Sequence, residues 1–326
     1  MTQQETNAGG GRPSRALVTG AGGFVGAWLT AAMLREGMDV TALATAAEPA
    51  HDGALRWEYG DLRDDAYVAR VVDSARPDVV VHLAAISHVP TAAADPALAW
   101  DVNVTSTARL LHHLGRLRDG GAADPTVLLV GSAEQYGRHD AVEIPLAETA
   151  RLEPRTVYAA TKCAQETMGL QLWRSTGLRV IASRSFNHSG SGQEPRFVLP
   201  ALVARALALR SAPAGTPLSL GNTTPIRDFL HVGDVVAAYI SLCRQGTPGE
   251  AYNVASGTGW SVADLVERVL ARVGVDAPLA TDPALARAVD VPVLIGNPGK
   301  LQHATGWRAT QSIDDIIDDL LNAATH

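Results

Sequence analysis

Residues 16–34 form an uncharged run broken by Gly20, Gly22, Gly23 and Gly26. A run of this length could suggest a membrane span. The glycines argue against one continuous helix. They suit three pieces in succession: a strand at Arg15–Thr19, a tight turn, and a helix over Val25–Glu36 that stops at Gly37. A strand feeding a helix through a glycine turn commits the chain to β-α-β packing.

The spacing within the turn is Gly20-x-x-Gly23-x-x-Gly26. Gly20 permits a sharp exit from the strand. Gly23 lets the backbone approach a pyrophosphate, and Gly26 lets the helix pack against the sheet. The helix N-terminus offers unpaired N–H groups and the positive end of its dipole. The expectation is a bound dinucleotide, with Phe24 and Val25 beside it on the same turn.

The first half of the chain continues in alternation. Strands are predicted at Asp39–Leu43, Asp78–Leu83, Thr126–Gly131 and Leu178–Ser183. Helices are predicted at Asp64–Ser74, Pro96–Leu114 and Arg155–Thr176. The strands are apolar throughout rather than alternating, as in a parallel sheet covered on both faces. The predicted class is α/β, a doubly wound Rossmann sheet.

After Ser185 loops become common. Helices are still predicted at Phe197–Leu209, Val232–Leu242, Val262–Val273 and Ile313–Ala323, and a strand at Ala251–Val254. Residues 1–14 are polar and Gly-rich and read as a disordered leader with no secretory signal. The expected organisation is a dinucleotide-binding domain over 15–185, with 232–260 returning to it. Residues 186–231 and 261–326 form a smaller C-terminal substrate-binding lobe.

Composition narrows the function classes. The chain has 326 residues, 46% hydrophobic, and a net charge of −7. That balance argues against a nucleic-acid partner, which calls for clustered Lys and Arg. No membrane partner is expected. Cys163 and Cys243 lack the spacing of a disulfide framework or a metal site, so no metal and a reducing cytoplasm are expected.

The acid that usually holds the adenine ribose should follow the second strand. Ala44-Thr45-Ala46-Ala47 stands there, with Glu48 beyond and no Arg nearby. The choice between NAD and NADP stays open, and missing repulsion tilts it slightly to NADP or dual use. Asp61, in Gly60-Asp61-Leu62, is placed to touch the adenine. Otherwise it is a solvated loop acid or a helix N-cap.

Tyr158 and Lys162 lie four apart in a predicted helix and share one face. Free Tyr has a pKa of about 10, and a neighbouring ammonium is expected to lower it. Lys162 can also hold a nicotinamide ribose. Ser132, at a strand end, can orient a carbonyl oxygen. This trio is a proton donor with an oxyanion stabiliser, suited to hydride transfer. The alternative is an ordinary surface pair, which the glycine turn and Ser132 weigh against.

From Ala16 to about Trp307 the chain resembles the extended short-chain dehydrogenase/reductases, the NAD-dependent epimerase/dehydratase group. The resemblance rests on the glycine turn, Gly60-Asp61-Leu62, His82-Leu83-Ala84-Ala85, Asp101-Val102-Asn103-Val104, Ser132, Tyr158-x-x-x-Lys162 and Arg227-Asp228-Phe229. It implies a nicotinamide-dependent enzyme acting on nucleotide-activated sugars. It also implies cofactor contacts at Asp61, Leu62, Leu83, Ala84, Ala85 and Asn103, and a homodimer through the helices Pro96–Leu114 and Arg155–Thr176.

Within that group, Ser185 to Gln193 resembles the loop of GDP-4-dehydro-6-deoxy-D-mannose reductases. The related GDP-mannose 4,6-dehydratases are more basic there. Resemblance implies that Asn187 and Arg227 hold the diphosphate, with Asn222 and Arg287 near the nucleotide end. Ser87, His88 and Arg196 are further substrate candidates. Arg227 could instead pair with Asp228 or Asp234. Ser132-Ala133-Glu134 keeps the spacing at which dehydratases of this group place a proton-abstracting Glu. Ala133 and Gly190-Ser191-Gly192 depart from the usual patterns. The expected activity is reduction of the C4 keto group of a nucleotide-linked 4-keto-6-deoxyhexose, GDP-4-dehydro-6-deoxy-D-mannose by the same resemblance. A dehydratase or 4-epimerase with recycled cofactor is the alternative, and a non-catalytic cofactor sensor a remote one.

Overall fold

The computed structural model describes residues 15–46, 55–213, 215–282, 285 and 291–325. The expected leader over 1–14, Glu48 and Arg287 lie outside them. Seven parallel strands make the main sheet: β1 (Arg15–Thr19), β2 (Asp39–Ala44), β3 (Arg56–Tyr59), β4 (Val79–His82), β5 (Thr126–Ser132), β6 (Arg179–Ser185) and β10 (Ala251–Val254). Their order is β10-β6-β5-β4-β1-β2-β3. The chain winds outward in both directions from the β1/β4 pair, so the strand order reverses there. A doubly wound sheet opens its ligand crevice at that point.

Alternate residues of these strands feed two cores. Leu17, Val80, Val127 and Val180 stand in register across the sheet. With Leu129 they pack on one face against α2 (Asp65–Ala75), α5 (Ser106–Asp119) and α6 (Val157–Thr176). Ala16, Val18, Val81, Leu128 and Ile181 pack on the other face, against α1 (Phe24–Arg35) and α8 (Val232–Gln245). Burial on both faces explains why these strands read as unbroken apolar runs.

The predicted helix over Pro96–Leu114 is helical throughout and runs on to Asp119, with a wider turn inside it. Asp95 caps a short α4 (Pro96–Trp100), which follows α3 (Val89–Ala94). A π-helical turn then spans Asp101–Thr105 before α5 begins. The wider turn rotates Asn103 inward, where it is fully buried.

A third core gathers α7 (Val198–Leu209), α9 (Val262–Val273) and α11 (Ile313–Thr325). Small strands accompany it: β7 (Asn187–Ser189), β8 (Leu218–Leu220), β9 (Ile226–His231), β11 (Gly259–Ser261), β12 (Leu279–Thr281) and β13 (Val293–Leu294). β9 is central, pairing with β7, β11 and β13. One late piece crosses back. Leu301, on α10 (Gly299–Thr305), and Trp307 join the core of the large sheet.

Asp234 secures that crossing. Its buried carboxylate accepts bonds from Thr310 N at 3.0 Å, Thr310 Oγ1 at 2.8 Å and Gln311 N at 3.0 Å. Trp307 Nε1 donates to its backbone oxygen at 3.0 Å. Charged acceptors of this kind contribute more than neutral ones. Asp234→Ala is expected to lower stability by about 2–3 kcal/mol, read as an earlier urea-unfolding midpoint, while Asp234→Asn loses less.

Candidate active site

The carboxyl ends of β1, β4, β5, β6 and β10 face one crevice. At its centre Thr19 and His82 stand side by side in register. His82 is fully buried, and desolvation, helped by the charge of Lys162, pushes its pKa down to about 3. The ring is therefore neutral. Its Nδ1 lies 2.8 Å from Thr19 Oγ1 and its Nε2 2.8 Å from Thr107 Oγ1. Thr107 donates to Asn103 O at 2.7 Å and accepts from Gln165 Nε2 at 2.7 Å. Its oxygen can only accept from the ring, so Nε2 carries the hydrogen and Nδ1 accepts from Thr19. Thr19 Oγ1 in turn accepts the Ala84 N–H at 3.2 Å.

The glycine turn sits on this seam. Gly20 has φ +69°, and a Cβ there would lie 2.8 Å from Ala84 N. A Cβ at Gly26 would lie 2.4 Å from Gly20 O and 2.5 Å from Ala21 O, so its absence lets α1 lie close on the exit of β1. Gly23 is the N-cap of α1, whose first turn holds no acid and includes Phe24 and Val25. Free N–H groups without a competing carboxylate fit a pyrophosphate.

Asp61 and Leu62 follow β3 at the same edge. Leu62 is buried, while the Asp61 carboxylate pairs with Arg63 at 2.6 Å. That hydrogen bond holds the carboxyl below its usual range. The N-cap of α2 is Asp64, not Asp61. Leu83 and Ala84 leave β4 half-buried, with Ala85 beside them. Asn103 does not face solvent. Its Oδ1 accepts Ile86 N–H at 2.7 Å, and its Nδ2 donates to Ile86 O at 3.2 Å and Thr161 Oγ1 at 2.9 Å.

Thr156 caps α6 through the Ala159 N–H at 3.1 Å, which starts the helix two residues later than predicted. Tyr158 and Lys162 then face the end of β5. Tyr158 keeps part of its surface exposed, yet its hydroxyl is surrounded by protein and hydrogen-bonded to Ser132. Desolvation pushes it up to about 12, against the Ser132 bond and with the charge of Glu134. Lys162 Nζ donates to Val130 O at 2.8 Å and lies 5.9 Å from the centre of the Tyr158 ring. The sequence suggests an ammonium that lowers the Tyr pKa. Here burial is the largest influence and the Ser132 hydroxyl the one that lowers it, and Tyr158 stands as a protonated phenol. Burial also pushes Lys162 down to about 7. Glu134 occupies a single 3-10 turn, Ala133–Gln135, and its N–H is capped by Ser132 Oγ at 3.2 Å.

Beyond this corner an open cleft of about 250 Å³ separates α7 from β8 and β9. It gathers Asn187, Arg196, Asn222 and Arg227 against Phe197, Val198, Leu202 and Val262. Arg227 is buried, whereas Arg196 is exposed and paired with Glu194 at 2.9 Å. Asn222 Oδ1 accepts from Thr224 N at 3.1 Å. The carboxylate of Asp228 receives Ser256 and Gly257, and that of Asp234 is engaged as described above. His88 bonds Thr91 Oγ1 at 2.9 Å and meets the Phe197 ring edge-on at the cleft rim. Ser87 is exposed in the loop before it. Sequence reasoning missed Arg205, which lines the cleft and donates to Ser219 O at 3.1 Å. A lone Arg in the apolar run VLPALVARALAL was the available signal.

The loop from Asn187 is clamped from two sides. Asp319 on α11 accepts Ser191 N–H at 2.6 Å, and Trp28 on α1 donates to Ser191 O at 3.1 Å. His231 Nδ1 accepts from Gly233 N, so its Nε2–H points at Asp319, 3.1 Å away. His188 stacks on Phe24 of the glycine turn at 6.3 Å.

A family model described as GDP-mannose 4,6 dehydratase matches residues 17–320. The chain belongs to this family. It is 32% identical to the GDP-6-deoxy-D-mannose reductase of Pseudomonas aeruginosa over 246 residues, 76% of this chain and 80% of the relative. The structure of RMD from Pseudomonas aeruginosa complexed with NADPH superimposes with a TM-score of 0.82 at 28% identity, covering 96% of this chain and all of that one (100%). A Thermus thermophilus UDP-glucose 4-epimerase complexed with NAD gives a TM-score of 0.83 at 27% identity, over 95% and 98% of the two chains. This dehydratase-family chain is thus an enzyme of the nucleotide-sugar reductase, dehydratase and epimerase group. No helix among its described residues is long and apolar enough to cross a membrane.

The Lys162 shift has a measurable sign. Its folded pKa of about 7 lies below the ordinary 10.5, so unfolding takes up a proton between those values. Stability from this group therefore rises with pH across that window. Lys162→Met is expected to flatten the rise, measured as a smaller gain in urea midpoint between about pH 7.5 and pH 9.5.

Proposed function

We propose that the enzyme reduces the C4 keto group of a nucleotide-activated 4-keto-6-deoxyhexose, GDP-4-dehydro-6-deoxy-D-mannose, using NAD(P)H. The observation that carries this reading is the convergence of Tyr158, Lys162 and Ser132 at the end of β5, with Lys162 Nζ 2.8 Å from Val130 O and 5.9 Å from the centre of the Tyr158 ring. A bound reduced nicotinamide supplies a hydride to C4. The carbonyl oxygen then gains charge and takes the Tyr158 proton, while Ser132 holds that oxygen. Lys162 sits on the same helix face, able to hold the ribose and to stabilise the phenolate that remains. The N-terminus of α1 would hold the pyrophosphate, and Asp61 and Leu62 the adenosine end, with Leu83, Ala84, Ala85 and Asn103 lining the crevice.

The sugar nucleotide fits the cleft of Asn187, Arg196, Asn222 and Arg227, with Ser87 and His88 at its rim. Guanidinium forks suit a diphosphate. Ala44–Ala46 places no acid against a 2′-phosphate, which supports NADPH over NADH. We read 15–185 with 232–260 as the cofactor domain and the remainder as the lobe that holds the sugar. A homodimer through α5 and α6 belongs to the same reading.

Glu134 favours a second reading, a 4,6-dehydratase with recycled cofactor. Ala133, between Ser132 and Glu134, is buried beside Tyr136, Leu146 and Phe186 and brings no polar group to the site. The two readings separate on incubation with NADPH and GDP-4-keto-6-deoxymannose. Reduction consumes NADPH one for one with product and is abolished in Tyr158→Phe. Glu134→Gln is expected to retain activity within about tenfold. Turnover of GDP-mannose without net NADPH loss, abolished by Glu134→Gln, would overturn the reductase reading.

A further inference from the structure

Helix α6 sends a third side chain inward, one turn past Lys162. Tyr158, Lys162 and Glu166 recur every four residues and form one stripe. Each is tied to the end of β5 or to the turn after it. Tyr158 meets the Ser132 hydroxyl, Lys162 meets Val130 O at 2.8 Å, and Glu166 accepts from Gln135 Nε2 at 2.8 Å. Gln135 completes a bridge, because its Oε1 accepts the backbone N–H of Ser132 at 2.8 Å. The amide orientation is unambiguous: oxygen faces an N–H, and nitrogen faces a carboxylate.

The bridge is anchored deep in the protein. Arg184 holds Glu166 with two bonds, Nε at 2.9 Å and a terminal nitrogen at 2.5 Å. It also donates to Tyr136 Oη at 3.0 Å and Glu148 O at 2.9 Å, and Tyr136 donates to Asn253 at 2.7 Å. Exposure is 0% for Gln135, 5% for Glu166 and 6% for Arg184. A buried ionic network of this kind does not add stability reliably. Fully satisfied, it fixes one geometry. Gly131 makes room for it, since a Cβ there would lie 2.4 Å from Gln135 Oε1.

We infer that Gln135 is a positioning residue for the reaction. Through the Ser132 N–H it sets where the Ser132 hydroxyl and the adjoining Glu134 stand relative to Tyr158. The inference rests on the role given above to Ser132 and Tyr158. Gln135 itself does not touch the substrate.

The test compares Gln135→Met, Gln135→Glu and Tyr158→Phe in the full chain, using NADPH and GDP-4-keto-6-deoxymannose from about pH 6 to pH 9. Gln135→Met removes both bonds and is expected to lower kcat by about 10–100-fold, with KM within about threefold and an intact circular-dichroism spectrum. Gln135→Glu places two carboxyls in contact, which then share a proton. The protonated pair can make both bonds of the original bridge. This variant should approach wild-type kcat at low pH and lose it as the shared proton leaves, a limb that wild type lacks. A purely structural Gln135 would give no such limb. Wild-type kcat in folded Gln135→Met, or a Gln135→Glu profile parallel to wild type, overturns the inference. Where Gln135→Met fails to fold, the Gln135→Glu profile decides. Activity in Tyr158→Phe sinks the reductase reading and this inference with it. A dead Tyr158→Phe beside a wild-type Gln135→Met sinks this inference alone.

Discussion

The neutral ring of His82 joins elements that otherwise touch only through apolar packing. On one side it takes the hydroxyl proton of Thr19, at the exit of β1. On the other it donates to Thr107, on α5. Thr107 reaches Asn103 and Gln165, and Asn103 reaches Thr161, between Tyr158 and Lys162. The position of the glycine turn is therefore passed to the catalytic helix through a short series of saturated polar groups. Thr19, His82, Thr107 and Asn103 each have a partner for every side-chain polar hydrogen, so the series admits one arrangement. A charged ring would break it, and burial keeps the ring neutral.

The same burial sets the chemistry. A crevice dry enough to hold His82 neutral also raises Tyr158 and lowers Lys162. These are consequences of one low-dielectric environment acting on three side chains. A phenol that resists ionisation keeps its proton until an oxygen in the site becomes an alkoxide, a base strong enough to take it. A second buried network, from Gln135 through Glu166 to Arg184, holds the catalytic helix one turn past Lys162. α6 is thus held against the sheet by polar groups within and after the reacting pair.

Much of the frame was legible in the sequence. Strands covered on both faces read as apolar runs, and the glycine turn and the Tyr158/Lys162 spacing are local in the chain. What escaped was set by distant contacts. β3 reads Arg-Trp-Glu-Tyr, a short edge strand whose pairing with β2 no local pattern announces. The π-helical turn at Asp101–Thr105 has ordinary helix-forming neighbours, and its inward Asn103 is explained only by Ile86 and Thr161. The lobe strands are two to six residues long and defined by pairing, β7, β11 and β13 with β9 and β8 with β12. The direction of the Tyr158 shift was misjudged because adjacency to Lys162 is visible in sequence and depth of burial is not.

The clamp on Ser191 bears on how the protein comes into being. The crevice of β1, β4 and β5 uses residues from the first half of the chain. The loop at Asn187 receives its final hold from Asp319, near the end of the last helix. During synthesis the cofactor crevice has all its strands while the substrate loop still lacks its anchor. The sugar side of the active site is thereby the last part to mature, and its completion reports that α11 has docked.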